Sequence, residues 1–154
     1  MPETATKAVF LSYASQDAAA AQRLCEGLQA AGVEVWFDAT ELSGGDVWDR
    51  TIRTRIGECA VFVPLISAHT QARLEGYFRL EWRLAEQRSH LMAKARRFLL
   101  PVCLDDTPQK GAQVPDAFLE VQWTRLHDGL PTPPFIAVVR QILAGDEQIG
   151  RAHV

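Results

Sequence analysis

The sequence predicts an α/β fold in which helices cover both faces of a parallel sheet. Apolar segments with strand-like patterns alternate along the chain with segments of helical periodicity, which is typical of β-α-β units. The runs Cys59–Ile66 and Phe98–Leu104 are apolar throughout, as expected of strands buried on both faces. The length of 154 residues suits one domain with a sizeable core.

The first half of the chain contains two predicted strands and two predicted helices. Ser15 is a suitable N-cap for the first helix, and Gly32 is well placed to end it. The consecutive glycines Gly44 and Gly45 favour a loop. The predicted elements are a strand at Ala8–Tyr13, a helix between Ser15 and Gly32, a strand at Val33–Asp38, a loop at Ala39–Val47 and a helix from Trp48 to Gly57.

The second half continues the alternation and ends in a polar segment. Residues 8–144 are expected to form the domain, and residues 145–154 a flexible tail or the start of a linker. The predicted elements are a strand at Cys59–Ile66, one long helix at about Gln71–Lys94, a strand at Phe98–Leu104, a short strand at Glu120–Trp123 and a last helix at about Phe135–Leu143.

Composition excludes several classes of protein. The 16 basic and 19 acidic side chains give a net charge of −3, so a general nucleic-acid footprint is not expected. The longest apolar runs are far too short to span a membrane, and the opening Met1–Thr6 is not a signal peptide. The three cysteines, each among apolar residues, indicate reduced core thiols and a cytoplasmic location.

Ligands of parallel α/β sheets bind at the carboxyl ends of the strands, where the strand order reverses. The predicted ends lack the glycine-rich motifs of dinucleotide and P-loop folds, the acidic residues of a phosphate-accepting domain and a G-x-S-x-G elbow. The four histidines lack paired spacing for a metal or a catalytic triad, and Asp105-Asp106 suits a solvated strand end, so no metal site is predicted. The segments to search are Ser12–Ser15, Asp38–Val47, Ser67–Thr70 and Asp105–Thr107.

Glu81 differs from the other acids of the predicted long helix. Glu75 and Glu86 each have an arginine at helical spacing, whereas the neighbours of Glu81 at that spacing are Tyr77, Phe78, Leu84 and Ala85. Such an acid either extends to water at the rim or lies in a partly dry cleft, where it would suit chemistry. Spacing alone leaves both alternatives open.

Motifs follow one another in a fixed order along the chain, at Phe10–Asp17, Trp36–Asp38, Glu41–Trp48, Pro64–Ser67, Tyr77–Trp82 and Leu100–Asp106. This ordered series resembles a TIR (Toll/interleukin receptor) domain of bacterial type, over nearly the whole chain. The resemblance implies a flavodoxin-like three-layer sandwich with a five-stranded parallel sheet and helices on both faces.

The resemblance implies that NAD+ is a substrate and that no cofactor is needed. Many TIR domains cleave its nicotinamide–ribose bond, with a glutamate on the helix after the third strand and an aromatic residue, usually Trp, four positions earlier. Those positions hold Glu81 as the catalytic acid and Tyr77 in place of Trp. Substrate contacts are also expected from residues at the strand ends and in the loop called the BB loop of the family, namely Ser12, Tyr13, Asp38, Leu42 and Gly45.

The implied function is an NAD+ nucleosidase that releases nicotinamide and ADP-ribose or a cyclic variant, activated by self-association through TIR–TIR contacts. Signalling in immunity and a fused or associated sensor domain are also expected of the family. The alternative is a non-catalytic TIR–TIR adaptor, against which the retained Tyr77 and Glu81 pair argues. For Ser12 and Asp38, turn formation is the competing interpretation to ligand contact.

Overall fold

A computed structural model describes residues 7–36 and 46–152, without the side chains of residues 46–49 and 146–152. Within these residues lies a five-stranded parallel sheet in the order β2-β1-β3-β4-β5. The chain leaves β1 toward one side and returns on the other, so the strand order reverses between β1 and β3. The strands are β1 (Val9–Ser12), β2 (Val35–Trp36), β3 (Val61–Ile66), β4 (Val102–Cys103) and β5 (Thr124–Arg125).

Helices cover both faces of this sheet, which confirms the predicted three-layer, flavodoxin-like α/β sandwich. One core, here the α1–α6 core, joins the sheet to α1 and α6, and the other, the α2–α4 core, joins it to α2, α4 and α5. The helices are α1 (Ala18–Ala30), α2 (Asp46–Glu58), α3 (Ala68–Ala72), α4 (Tyr77–Ser89), α5 (Asp116–Leu119) and α6 (Pro133–Ala152), with single 3-10 turns at Ser15–Asp17 and His127–Gly129.

Strand β3 lies at the centre, and all six of its residues are buried. Its side chains alternate between the two cores, because successive residues of a strand point to opposite faces. Val63 and Leu65 belong to the α1–α6 core, whereas Phe62 belongs to the α2–α4 core. There Phe62 stacks on Phe10 of the neighbouring β1, with ring centroids 5.5 Å apart. The continuous apolar run therefore predicted the strand correctly.

The single long helix predicted at Gln71–Lys94 is wrong, because the chain forms two helices with a break at residues 73–76. Gly76, extended at φ 166 and ψ 164, precedes the second helix. The Arg79 side chain donates to the carbonyls of Thr70 and Arg73 at 2.6 to 3.1 Å and to that of Gln113 at 2.6 Å. It thereby satisfies carbonyls that the end of α3 leaves without helical partners. Burial lowers the pKa of this guanidinium.

Other element boundaries also differ from the prediction. The last strand is Thr124–Arg125 and follows the proposed Glu120–Trp123, while the short helix Asp116–Leu119 was not predicted. The last helix does not end near Leu143, because it continues to Ala152 through most of the segment expected to be a flexible tail. Gly145 lies within this helix and does not interrupt it, and a Cβ added there would meet no atom within 4 Å.

The cysteines Cys25, Cys59 and Cys103 are free and buried, as expected. Burial raises the pKa of the Cys59 thiol to about 12, even though the Arg88 guanidinium nearby opposes the shift. Arg88 donates to the carbonyls of Ile56 and Cys59 at 2.8 and 2.6 Å, which ties α4 to the end of α2. Among the helices described, none combines the length and the apolar character needed to cross a bilayer.

Candidate active site

The side chains of Ser12 and Glu81 meet at the carboxyl end of β1. Ser12 is the last residue of that strand and is 1% exposed, and its Oγ donates to Oε1 of Glu81 at 2.6 Å. The contact is partly buried and joins residues 69 positions apart. A hydroxyl–carboxylate distance this short is typical of a charge-assisted hydrogen bond. The acid singled out in the sequence therefore lies half-buried beside the point where the strand order reverses.

Helix α4 positions Glu81 through the residues around it. Phe78, Trp82 and Ala85 are buried in the α2–α4 core. The indole of Trp82, 0% exposed, packs edge-on against Phe78 at 5.0 Å between ring centroids and against Phe118 of α5 at 5.6 Å. Because Trp82 directly follows Glu81, this packing fixes the rotation of the helix and so the direction of the carboxylate. The site rests on a rigid element.

Tyr77 is the first residue of α4 and is half-buried against the α2–α4 core. It lies one turn before Glu81, so the two side chains share a helix face. Tyr13 directly follows β1, but it packs against the α1–α6 core, on the sheet face opposite to α4. The predicted substrate residues Asp38, Leu42 and Gly45 lie outside the described residues. The structure thus joins Ser12 directly to Glu81 and places Tyr77 beside them.

A second polar cluster lies at the same edge, after β3. The Asp17 carboxylate, 7% exposed, accepts a hydrogen bond from Ser67 Oγ at 2.6 Å and lies 2.8 Å from Nδ1 of His69. Ser67 also caps α3, because its Oγ accepts the backbone N–H groups of His69 and Thr70. The cluster ties the turn after β1 to the turn after β3, across the switch point.

Asp105 joins the end of β4 to this edge. Its Oδ2 accepts the backbone N–H of Ala68 at 2.8 Å, and its Oδ1 accepts the Thr107 hydroxyl at 2.6 Å. Burial alone raises the pKa of Asp105, but the hydrogen bonds from Thr107, Ala68 and Cys103 outweigh it and hold the pKa below its ordinary value. Asp105 therefore helps to cap the first residue of α3.

Sequence analysis missed the pairing of Asp17 with His69. Asp17 lies within the first predicted helix, and His69 has no other histidine at a spacing that suits a metal or a catalytic triad. The two residues are 52 positions apart and meet only because β1 and β3 are neighbours. The available signal was that His69 lies in the predicted strand-end segment Ser67–Thr70, and that Asp17 comes two residues after the segment Ser12–Ser15. Across the described ranges, no three His, Cys, Asp or Glu side chains gather in a group that could hold a metal.

Comparison with known proteins finds a sequence relative whose name states an enzymatic activity. The NAD(+) hydrolase PdTIR of Paracoccus denitrificans (strain Pd 1222) is 35% identical to the chain over 80 residues. The alignment covers 47% of this chain and 27% of that protein, so the chain spans little more than a quarter of its relative.

Solved structures of TIR-containing proteins share the fold. The C. gigas TIR-STING receptor, solved with 2',3'-cGAMP, has a TM-score of 0.63 at 16% identity, covering 88% of this chain and 38% of that one. The TIR domain of the Toll-related receptor TRR-2 from Hydra magnipapillata has a TM-score of 0.56 at 14% identity, covering 88% and 96%. The TIR domains of the activated Roq1 resistosome give 0.53 at 20% identity, covering 65% and 60%.

The structural likenesses, all at low identity, establish the fold, and the family itself is established by the sequence. The family model described as the TIR domain matches residues 9–143, from the first residue of β1 into α6. That match takes in every strand of the sheet and both ends of the Ser12–Glu81 contact. On this ground the chain belongs to the TIR-domain family.

Proposed function

We propose that this TIR domain cleaves NAD+ at the nicotinamide–ribose bond, with Glu81 as the catalytic carboxylate. The observation that carries the proposal is the Ser12–Glu81 hydrogen bond, which holds a carboxylate at the carboxyl edge next to the switch point. The likeness to a relative named as an NAD(+) hydrolase supports the same reaction. The products are nicotinamide and either ADP-ribose or a cyclic variant of it.

The chemistry needs one carboxylate. The bond between ribose C1′ and the pyridinium nitrogen breaks, and its electron pair returns to the nitrogen, so nicotinamide leaves as a neutral molecule without a general acid. The ribose is left as an oxocarbenium-like cation, which a nearby carboxylate stabilises by electrostatics. A water then adds to C1′ and releases a proton, or an internal nucleophile of ADP-ribose adds instead and gives a cyclic product.

Ser12 and Tyr77 serve this carboxylate in different ways. By donating to Oε1, Ser12 fixes the direction of the Glu81 carboxylate without adding a charge that would weaken its attraction for the ribose cation. Tyr77 supplies an aromatic face one helical turn away, which can flank the departing nicotinamide ring. The carboxylate also accepts hydrogen bonds from the ribose hydroxyls. Ser12 is in this account a positioning residue, and Tyr77 a binding residue.

Self-association belongs to the proposal, because the loop after Asp38 corresponds in the resemblance to the BB loop, which helps a neighbouring subunit to complete the site. Purified protein is incubated with NAD+ over a range of protein concentrations, and released nicotinamide is measured. A rate that rises faster than linearly with protein concentration supports assembly-dependent cleavage. No release of nicotinamide, even when the domain is clustered on a scaffold, refutes it and supports the non-catalytic adaptor. Chromatography of the products separates linear from cyclic ADP-ribose.

A further inference from the structure

Arg73 lies in the break between α3 and α4 and reaches across the carboxyl edge of the sheet. Its Nη1 lies 3.2 Å from Oε1 of Gln16 and 3.4 Å from Oγ of Ser15, both in the turn after β1. Its guanidinium carbon lies 5.5 Å from the centre of the Phe78 ring on α4. Arg73 therefore spans the same two parts of the chain, the end of β1 and α4, that the Ser12–Glu81 contact joins.

The charge of Arg73 is not neutralised by its neighbours. Both hydrogen-bond partners are uncharged, both contacts are long, and Arg73 forms no ion pair with any residue that the structure describes. Arg79 and Arg88 differ, because backbone carbonyls take up their guanidinium groups at 2.6 to 3.1 Å. With respect to the residues that the structure describes, most of the five N–H donors of Arg73 thus remain available to a ligand at this edge.

Gly76 leaves room for the guanidinium beside Phe78. A Cβ at Gly76 would lie 2.9 Å from Nη2 of Arg73 and 2.9 Å from Cε1 of Phe78. Any other residue at position 76 would therefore make one or both of these side chains shift.

The axial separation of Arg73 and Glu81 is within the span of one dinucleotide. Phe78, under the guanidinium, precedes Glu81 by three residues, an axial rise of about 4.5 Å along the helix. In NAD+ the ribose ring and one methylene group separate the nicotinamide from the diphosphate. Arg73, packed on Phe78, therefore lies less than one helical turn from Glu81 along the axis of α4, so one substrate molecule can contact both side chains. The chain carries a net charge of −3, so an anionic substrate needs such a local cation.

We infer that Arg73 binds the diphosphate of the dinucleotide and so selects NAD+ over nucleosides that lack it, an inference that rests on the proposed function. Guanidinium groups bind phosphate oxygens in a bidentate manner, a geometry that a lysine does not reproduce. Arg73 is a binding residue in this account and takes no part in the bond cleavage.

The direct test is the binding of ADP-ribose and adenosine, measured by calorimetry for the wild type and for Arg73→Gln, Arg73→Lys and Arg140→Gln. Arg140 is an exposed arginine of α6 and controls for the loss of one charge. Arg73→Gln is expected to weaken the binding of ADP-ribose roughly tenfold to a hundredfold, which is the range for hydrogen bonds to a charged group. Arg73→Lys should fall in between, Arg140→Gln should match the wild type, and adenosine should bind all four equally.

Equal binding of ADP-ribose by the wild type and Arg73→Gln would overturn the inference, as would a wild type that does not bind ADP-ribose. If the role of Arg73 were merely structural, Arg73→Gln would weaken the binding of adenosine as much as that of ADP-ribose. In turnover, Arg73→Gln should raise KM for NAD+ and leave kcat close to that of the wild type. If the wild type binds ADP-ribose through Arg73 but releases no nicotinamide, the cleavage proposal fails and the diphosphate site stands.

Discussion

Ser12 and Glu81 form the contact on which the account of the chemistry depends. A serine hydroxyl that is 1% exposed has few possible partners, so its proton is committed to the carboxylate oxygen 2.6 Å away. The sequence suggested Ser12 as a substrate contact or a turn residue. The structure gives it a third role, because a side chain this buried holds the acid in place.

Replacement of Ser12 by alanine removes a hydrogen-bond donor to Oε1 of Glu81 and leaves the carboxylate with more rotational freedom. We expect kcat for nicotinamide release to fall about tenfold, the value of one hydrogen bond to a charged group, with KM changed little. Ser89→Ala, at the other end of α4, removes a hydroxyl that donates to the Glu86 carbonyl and should retain full activity. An unchanged kcat in Ser12→Ala would show that Ser12 does not position the acid.

The residues of the site were predictable to different degrees. Glu81 was singled out by its apolar helical neighbours, a local signal, and the family resemblance then gave it a role. Asp17, His69 and Arg73 carried no local signal, because each finds its partners on another element. Such pairings depend on strand order, which periodicity does not encode.

The helices around the site show where periodicity fails. A helical pattern predicted one continuous element at Gln71–Lys94, since most of its residues favour a helix. The break arises because Arg79 satisfies the carbonyls at the end of α3 and Gly76 permits the close approach of Arg73 and Phe78. These are tertiary effects, and they override propensity.

The short helix α3 depends on Asp105 at its start. Because the pKa of Asp105 is lower in the folded protein than its ordinary value of 3.8, its contribution to stability is present above that value and is lost as the pH falls through the folded value. Asp105→Asn should therefore have a lower free energy of unfolding than the wild type near neutral pH. This difference in free energy should become smaller near pH 3. Urea unfolding at both pH values measures this. A gap that stays constant would exclude the ionised carboxylate as its source.

Glycine is required where the turn at His127–Gly129 packs on α1. Gly129 has φ 79, and a Cβ there would overlap the carbonyl oxygen of Ala20. Gly111 has the same φ but no atom within 4 Å of its Cβ position. Gly111→Ala should cost about 1–2 kcal/mol of unfolding free energy from backbone strain alone.

Gly129→Ala should cost roughly 1–3 kcal/mol more than Gly111→Ala, since the close contact adds to the strain. Urea unfolding of both variants checks the difference. Equal losses in the two variants would mean that the turn moves away from α1 without a measurable cost.

At the scale of the whole molecule, the sequence predicted the layers and the central strands because these follow from burial. Continuous apolar runs become β3 and the region around β4, and the alternation of elements predicts a parallel sheet. The prediction was less accurate for the last elements of the chain. The last helix packs into the α1–α6 core and the last strand pairs with β4, and the ends of both lie several residues from the predicted ones.

The most direct test of the central claim is the rate of nicotinamide release from NAD+ by the wild type, Glu81→Gln and Glu120→Gln. Glutamine keeps the shape of the side chain and can still accept the Ser12 hydrogen bond, but it removes the charge that stabilises the ribose cation. Glu120, exposed after α5, provides a matched loss of one carboxylate. The account predicts that Glu81→Gln folds with a melting temperature close to that of the wild type and releases no measurable nicotinamide, while Glu120→Gln is fully active. Release by Glu81→Gln at the wild-type rate would contradict it.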